Sequence, residues 1–278
     1  MKKIDNMKKL KIIVAALSVF SIACFIGCEK NAVEDITVPY NGALFKFYNF
    51  ALSSPTVNAY ANNTKFTAIA SLTGVESAAG TSAGGVAPAR GYSLVQAGSN
   101  IVFRVVTPST MAASTTTGFG PNLEIAAVTA SIEDGKNYSF YASGVFNKTT
   151  QKADCFIIED KLPQPDSSAS YIRLVNPGHN TSTLSLEITR TLKLPDGSTI
   201  TEVTTPITGV PYKAASPFVK VAPGSYSLKL TDQATGKSVT RAATGFAKNR
   251  VYTFTLRGDL ISGVASSPTL FLDFTENR

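Results

Sequence analysis

From Asn41 onward the chain is written in short runs in which apolar and polar residues take turns. Leu184, Leu186 and Ile188 alternate with Ser185, Glu187 and Thr189; Tyr226, Leu228 and Leu230 alternate with Ser227, Lys229 and Thr231. Tyr252, Phe254 and Leu256 alternate with Thr253, Thr255 and Arg257. A period of two with one apolar face predicts strands lying over a core, and helical periodicity is weak throughout. Turn signals separate the runs: Asp134-Gly135, Pro177-Gly178, Asp196-Gly197, Pro223-Gly224 and Thr235-Gly236. Asp196-Gly197 joins two runs rich in Thr, Leu and Ile, a strong hairpin signal. Many short strands at this spacing predict an all-β chain of antiparallel sandwich type.

The first forty residues follow another pattern. Lys8, Lys9 and Lys11 precede an apolar run from Ile12 to Ile26, broken only by Ser18 and Ser21, and Gly27-Cys28-Glu29-Lys30 follows. The run falls below the ~20 residues of a comfortable transmembrane helix and suits a secretory signal. Phe25-Ile26-Gly27-Cys28 resembles a bacterial lipobox, with the small residue in place before the cysteine and Phe25 where Leu is usual. Ser21-Ile22-Ala23-Cys24 competes; Cys28 is favoured because the apolar run stops there. The resemblance implies a diacylglycerol thioether on Cys28 and an acylated amino terminus. Two or more acyl chains anchor stably where one is marginal. The expected bounds are a signal peptide over 1–27, then the lipidated cysteine and a charged tether over 28–40.

The remainder repeats itself. Ala43-Leu44-Phe45-Lys46-Phe47-Tyr48-Asn49 parallels Ser170-Tyr171-Ile172-Arg173-Leu174-Val175-Asn176. Tyr92 to Gly98 parallels Pro217 to Gly224, and Asn137 to Gly144 parallels Val251 to Gly258. From Asn49 to Gly98 is 49 residues and from Asn176 to Gly224 is 48; from Tyr138 to Gly144 and from Tyr252 to Gly258 is 6 in both. Between the copies, Leu162-Pro163-Gln164-Pro165-Asp166-Ser167-Ser168 reads as a linker, since prolines withhold ladder hydrogen bonds and stiffen the chain. The expected architecture is two tandem immunoglobulin-like antiparallel β-sandwich domains, over 41–162 and 170–278, with a linker over 163–169. Few contacts normally cross such a linker, so cutting near Gln164 is expected to release two soluble domains.

The opening motif, Ala-x-hydrophobic-[Arg/Lys]-hydrophobic-x-Asn, and the later aromatic strand after an N-x-Y-like turn resemble an uncharacterised Ig-like family. That family is a domain of unknown function, often in tandem, in lipoproteins of Bacteroidota-type bacteria. The resemblance covers most of residues 41 to 278, with Lys46 where Arg is usual. It implies the sandwich fold and an envelope location and brings no agreed activity.

Composition narrows the function classes. With 44% hydrophobic and 16% charged residues, the chain is no disordered polyelectrolyte. The net charge is +7, but residues 1 to 28 hold Lys2, Lys3, Lys8, Lys9, Lys11 and one acid, Asp5. The folded part is therefore nearly balanced and lacks the basic excess of a nucleic-acid binder.

Catalytic chemistry finds little support. Beyond the leader the single cysteine is Cys155, in the β-like run Ala153 to Ile158, so it reads as a buried structural thiol with no disulfide partner. Gly80-Thr81-Ser82-Ala83-Gly84 matches the G-x-S-x-G pattern, but that nucleophile needs a sharp strand-to-helix turn, and no helical pattern follows. The lone histidine, His179, stands in a turn of the other copy. No metal-ligating or phosphate-cradling motif is present, so neither a metal nor a cofactor is expected.

The reading is an exported lipoprotein, anchored at the outer membrane or cell surface, acting as a non-catalytic structural or adhesion-like interaction module. Its expected partners are the membrane, through its lipid, and an envelope protein or glycan. The alternative is a glycan-binding accessory of a polysaccharide uptake system, for which the cluster Phe45, Phe47, Tyr48 and Phe50 would be the platform; shared strand faces make core packing the simpler role of Phe45 and Phe47. The first copy is twelve residues longer than the second between its glycine and its aromatic strand (Gly98 to Tyr138 against Gly224 to Tyr252). An insertion over 109–122 explains the excess. It is uncharged and carries Met111 and Phe119 as a candidate interaction surface, because loops on rigid sandwiches often carry binding.

Overall fold

The computed structural model describes residues 42–67, 79–262 and 268–278. The leader with Cys24, Cys28 and the tether lies outside these residues. Every regular element among them is a strand. In the first copy these are β1 (Gly42–Asn49), β2 (Asn58–Ala61), β3 (Thr64–Lys65), β4 (Val86–Ala87), β5 (Ser93–Gln96), β6 (Gly98–Val106), β7 (Glu124–Ile132), β8 (Asn137–Asn147) and β9 (Lys152–Glu159). In the second they are β10 (Ser170–Val175), β11 (Leu184–Lys193), β12 (Thr199–Val210), β13 (Val219–Val221), β14 (Gly224–Asp232), β15 (Ser238–Phe246), β16 (Arg250–Arg257) and β17 (Phe271–Glu276).

The alternating runs give one-sided strands. In β14, Tyr226, Leu228 and Leu230 are buried while Ser227 and Lys229 are exposed. Four sheets result, ordered β4-β1-β8-β9 (with β5 also on β1), β3-β2-β6-β7, β13-β10-β16-β17 and β12-β11-β14-β15. The first two enclose a core around Phe45, Phe47, Phe103, Ile125 and Phe140, where Phe45 stacks on Phe103 at 4.8 Å and on Tyr138 at 5.1 Å. The other two enclose Ile172, Leu174, Leu186, Leu230, Phe254 and Leu272. Phe45 and Phe47 are thus core residues.

Pairing is antiparallel except at one place in each copy. β1 runs parallel to β8, and β10 runs parallel to β16. The registers are those of a true repeat: Phe45 lies opposite Tyr138, and Ile172 opposite Tyr252. Two glycines hold equivalent places in the copies, Gly144 inside β8 and Gly258 just past β16. Gly144 and Gly258 have φ of 71° and 86°, a left-handed backbone that favours glycine. A Cβ on Gly258 would stand 2.5 Å from the Leu270 backbone. The copies differ in the link between their long hairpin strands. Residues 107–123 join β6 to β7, whereas 233–237 join β14 to β15, so the twelve-residue excess lies in that loop.

β1, β8 and β16 are buried on both faces, which a sandwich half exposed to water does not require. The reason is that the outer face of the β1/β8 sheet lies against the outer face of the β10/β16 sheet. The two sandwiches keep separate cores but lie face to face, and Asn41–Arg278 forms one compact unit. The polar residues of the alternating pattern on these strands face the other sandwich instead of solvent.

Candidate functional site

The seam between the sandwiches holds the most unusual chemistry of the molecule. Lys46 and Arg173, equivalent in the two copies, are 0% and 2% exposed. Each projects from the outer face of an opening strand and lies over the ring that precedes the next strand. Lys46 Nζ sits 5.0 Å from the Tyr92 ring centre, and the Arg173 guanidinium sits 4.7 Å from that of Phe218. Burying a charge without a partner is costly, and both find partners across the seam. The Lys46 ammonium donates to the Glu276 carbonyl at 3.1 Å. The Arg173 guanidinium pairs with Asp160, itself buried at the end of β9.

Around Asp160 the network closes. Ser139 and Tyr92 hydroxyls donate to its Oδ2 at 2.8 and 3.1 Å. Arg173 Nε donates to Thr253 Oγ1 at 2.9 Å, Thr253 donates to Asn277 Oδ1 at 2.7 Å, and Asn277 Nδ2 returns to Tyr92 at 2.8 Å. Burial works against the Arg173 charge, but Asp160 and the nearby tyrosines outweigh it, and its pKa rises. Lys46 is pulled below the usual lysine value by burial, with Asp160 and Glu276 opposing. Beside this network lies an aromatic patch in which Tyr48 stacks on Tyr141 at 4.3 Å and Tyr141 on Phe156 at 5.0 Å. Val175 and Ala215 of the second sandwich pack against it. Burial keeps the Tyr141 phenol neutral, pushing its pKa up to about 12. Tyr48 therefore belongs to the seam, and Phe50 packs with it in the same cluster.

Two clefts open on the margins of the seam. One, of about 720 Å³, is lined by Arg90, Arg250, Phe274, Glu276, Asn277 and Arg278. Arg250 pairs with Glu276 at 2.8 Å and Arg278 Nη1 donates to the Pro163 carbonyl at 2.8 Å. The other, of about 450 Å³, has Arg173 and Phe218 among its walls with Glu159 and Ser216. On a further margin, Arg257 reaches from β16 to the Gly84 carbonyl at 3.4 Å while Nε lies 3.1 Å from Asp273. Arg257 Nε and Asp273 Oδ2 make no aligned hydrogen bond despite that closeness. Burial thus outweighs the arginines and pushes the Asp273 carboxyl up to about 6.

The residues singled out from sequence are placed as follows. Cys28 and Cys24 lie outside the described residues. Cys155 is buried on β9, and burial, with Asp154 next to it, pushes its thiol up to about 12. That is the reverse of an activated nucleophile. Ser82 is exposed in a loop where Thr81 bridges Val57, a short antiparallel contact and not a strand-to-helix turn. His179 lies in the second sandwich, in the turn after β10. Among the described residues no group of His, Cys, Asp and Glu is arranged to hold a metal ion.

Phe119, expected on an exposed loop, is half-buried. Phe119 packs on the first core and meets Phe146 edge-on at 5.5 Å. The loop is tied down along its length. Leu123 N donates to Thr107 Oγ1 at 2.8 Å, Ser114 N to the Phe119 carbonyl at 2.9 Å, and Gln151 Nε2 to the Gly118 carbonyl at 2.8 Å. Met111 is half-buried, with its amide on the Pro108 carbonyl. The seam itself was missed from sequence, although the shared basic position of Lys46 and Arg173 between apolar neighbours was its signal.

No family model matches the chain, and no curated protein matches it. Among solved structures it is similar to a protein from Bacteroides ovatus with a suggested role in cell adhesion, at 9% identity over 85% of this chain and 97% of that one, with a TM-score of 0.23. It is also similar to a family CBM26 carbohydrate-binding module from Eubacterium rectale, solved with maltoheptaose, at 10% identity over 84% and 96%, with a TM-score of 0.20. A leucine-rich repeat protein from Bacteroides thetaiotaomicron aligns over 79% of this chain and 26% of its own, with 11% identity and a TM-score of 0.17. Likeness this slight carries no functional argument, and the all-β sandwich architecture rests on the sheets themselves.

Proposed function

We propose that the chain is an exported, lipid-anchored, non-catalytic module that serves the cell envelope or cell surface as a structural or adhesion-like interaction element. The observation that carries this reading is the seam. A closed polar constellation, Arg173, Asp160, Tyr92, Thr253 and Asn277, is spent on joining two sandwiches; Arg173 and Asn277 border the two clefts, but Asp160 at its centre is only 2% exposed. A unit built this way presents loops and edges in fixed relation to each other, as an interaction scaffold requires. The leader supports the location through Lys8 to Lys11, the apolar run and Cys28. Fatty-acid labelling with membrane fractionation tests the reading. Cys28→Ala is expected to lose label and leave the membrane fraction, while Cys155→Ala keeps both; an unlabelled wild-type chain overturns it.

The second reading, a glycan-binding accessory, is favoured by the 720 Å³ cleft, where Arg90 and Arg250 stand beside Glu276 and Asn277. Those groups would suit a sugar bearing a carboxylate. Binding of acidic glycans on an array, abolished by Arg90→Ala, would select it.

A further inference from the structure

Most sheet edges of this molecule are short or covered. β7 packs beside β9 and β15 beside β17, so those edges meet across each sandwich. β3, β4, β5 and β13 are 2, 2, 4 and 3 residues long. β12 differs. It is 12 residues long and outermost in its sheet.

The two ends of β12 are treated differently. Opposite Leu184 to Ile188 its register slips twice, Gly209 takes φ 71°, Pro206 interrupts the strand, and Asn176 Nδ2 caps the Val210 carbonyl at 3.1 Å. Bulges and proline are the usual devices that stop an edge from pairing. From Thr199 to Thr204 the register with β11 is unbroken and carries none of them. Thr199 to Thr205 are all exposed, with Ile200 and Val203 at 46% and 56%. The one charge of the stretch, Glu202, is bound to Arg190 Nε of its own hairpin at 2.6 Å. A regular, β-branched, nearly uncharged edge is a template for strand addition.

We propose that this edge pairs antiparallel with the same edge of a second copy of the chain, about a twofold axis through Thr201. This inference goes beyond the proposed function and does not depend on the lipid anchor. An added foreign strand would leave its own far edge open. Self-pairing uses the one long open edge among the described residues of each copy and closes, as isologous dimers do. Side-chain parity limits the register to residue-centred pairings, and the side chains then brought together favour one of them. A twofold axis normal to the sheet keeps each face on its own side, so pairing is centred on a residue. Centring on Glu202 sets that carboxylate against itself, which is unfavourable. Centring on Val203 sets Ile200 against Pro206, which has no N–H to offer. Centring on Thr201 sets Thr199 against Val203, Ser198 against Thr204, and Ile200 against Glu202, whose carboxylate is held by Arg190 of its own hairpin. One face of the junction is then a ladder of β-branched side chains, Thr199, Thr201 and Val203, which pair favourably across strands.

Sedimentation of the full chain in mild detergent across a dilution series tests this, with circular dichroism as the check on folding. Wild type is expected to show a concentration-dependent dimer. Thr201→Lys, which sets two ammonium groups face to face, is expected to be monomeric with an unchanged spectrum. Thr201→Cys is expected to form a disulfide-linked dimer under mild oxidation, while Ser238→Cys on β15 does not. A wild-type chain that stays monomeric, or a dimer that survives Thr201→Lys, overturns the proposal.

Discussion

Arg173 and Asp160 stand on different sandwiches and form an ion pair that is closed to solvent, 2% exposed on both sides. The pair is held in a ring of hydrogen bonds through Ser139, Tyr92, Thr253 and Asn277. Removing one partner of such a pair strands a buried charge. Asp160→Ala is therefore expected to cost about 3–5 kcal/mol, because the Arg173 guanidinium loses its counter-charge. The double variant Asp160→Leu with Arg173→Met is expected to recover part of that loss, since apolar replacement of a whole buried pair is often close to neutral. Urea unfolding midpoints measure both. A single-variant loss below about 1 kcal/mol would place the pair among surface ion pairs.

Phe119 is expected to behave as a core-edge residue. Its ring meets Phe146 at 5.5 Å and packs on the first core. Phe119→Ala is expected to cost about 2 kcal/mol, less than the 3–5 of a fully buried ring, because Phe119 is only half-buried. Thermal unfolding checks this. A change within about 0.5 kcal/mol would return Phe119 to the class of surface substitutions and restore the loop as a free contact surface.

Asp273 couples stability to pH. Burial pushes its carboxyl up to about 6 from 3.8, and Arg257 and Arg241 only partly offset this. Between these values the unfolded chain has already released the proton that the folded chain keeps. Stability is therefore expected to fall as pH rises through this window and to level off above it. Asp273→Asn is expected to flatten that slope. The midpoint is read by carboxyl-carbon NMR, and a value below 4 would mean that the Arg257 pairing governs the site.

The strand pattern and the repeat were legible in the chain. Leu184 to Ile188, Tyr226 to Leu230 and Tyr252 to Leu256 form strands with the alternating residues turned to the core. The unequal spacing from Gly98 to Tyr138 located the long loop. The seam was not legible, for a physical reason. Period-two alternation tells which face meets the core and says nothing of what the other face meets. Lys46, Arg173, Ser139 and Thr253 fit a solvated face as well as they fit a polar interface. A lysine or arginine between apolar neighbours normally points to water. The packing of Phe119 was hidden for the opposite reason: loop length and neutral composition marked an insertion, but Phe146, the ring it meets, is distant in sequence and only the fold brings the two together. The parallel pairing of β1 with β8 joins residues nearly a hundred positions apart, for which local patterning holds no signal.

Calorimetric unfolding of the chain tests the central claim, that the two sandwiches are one unit joined through the Lys46 and Arg173 faces. Cooperativity across the seam predicts one transition, with calorimetric and van't Hoff enthalpies equal, and predicts that Arg173→Leu splits it or shifts it as a whole to lower temperature. Two resolved transitions in the wild-type chain, with Arg173→Leu leaving both in place, would contradict it.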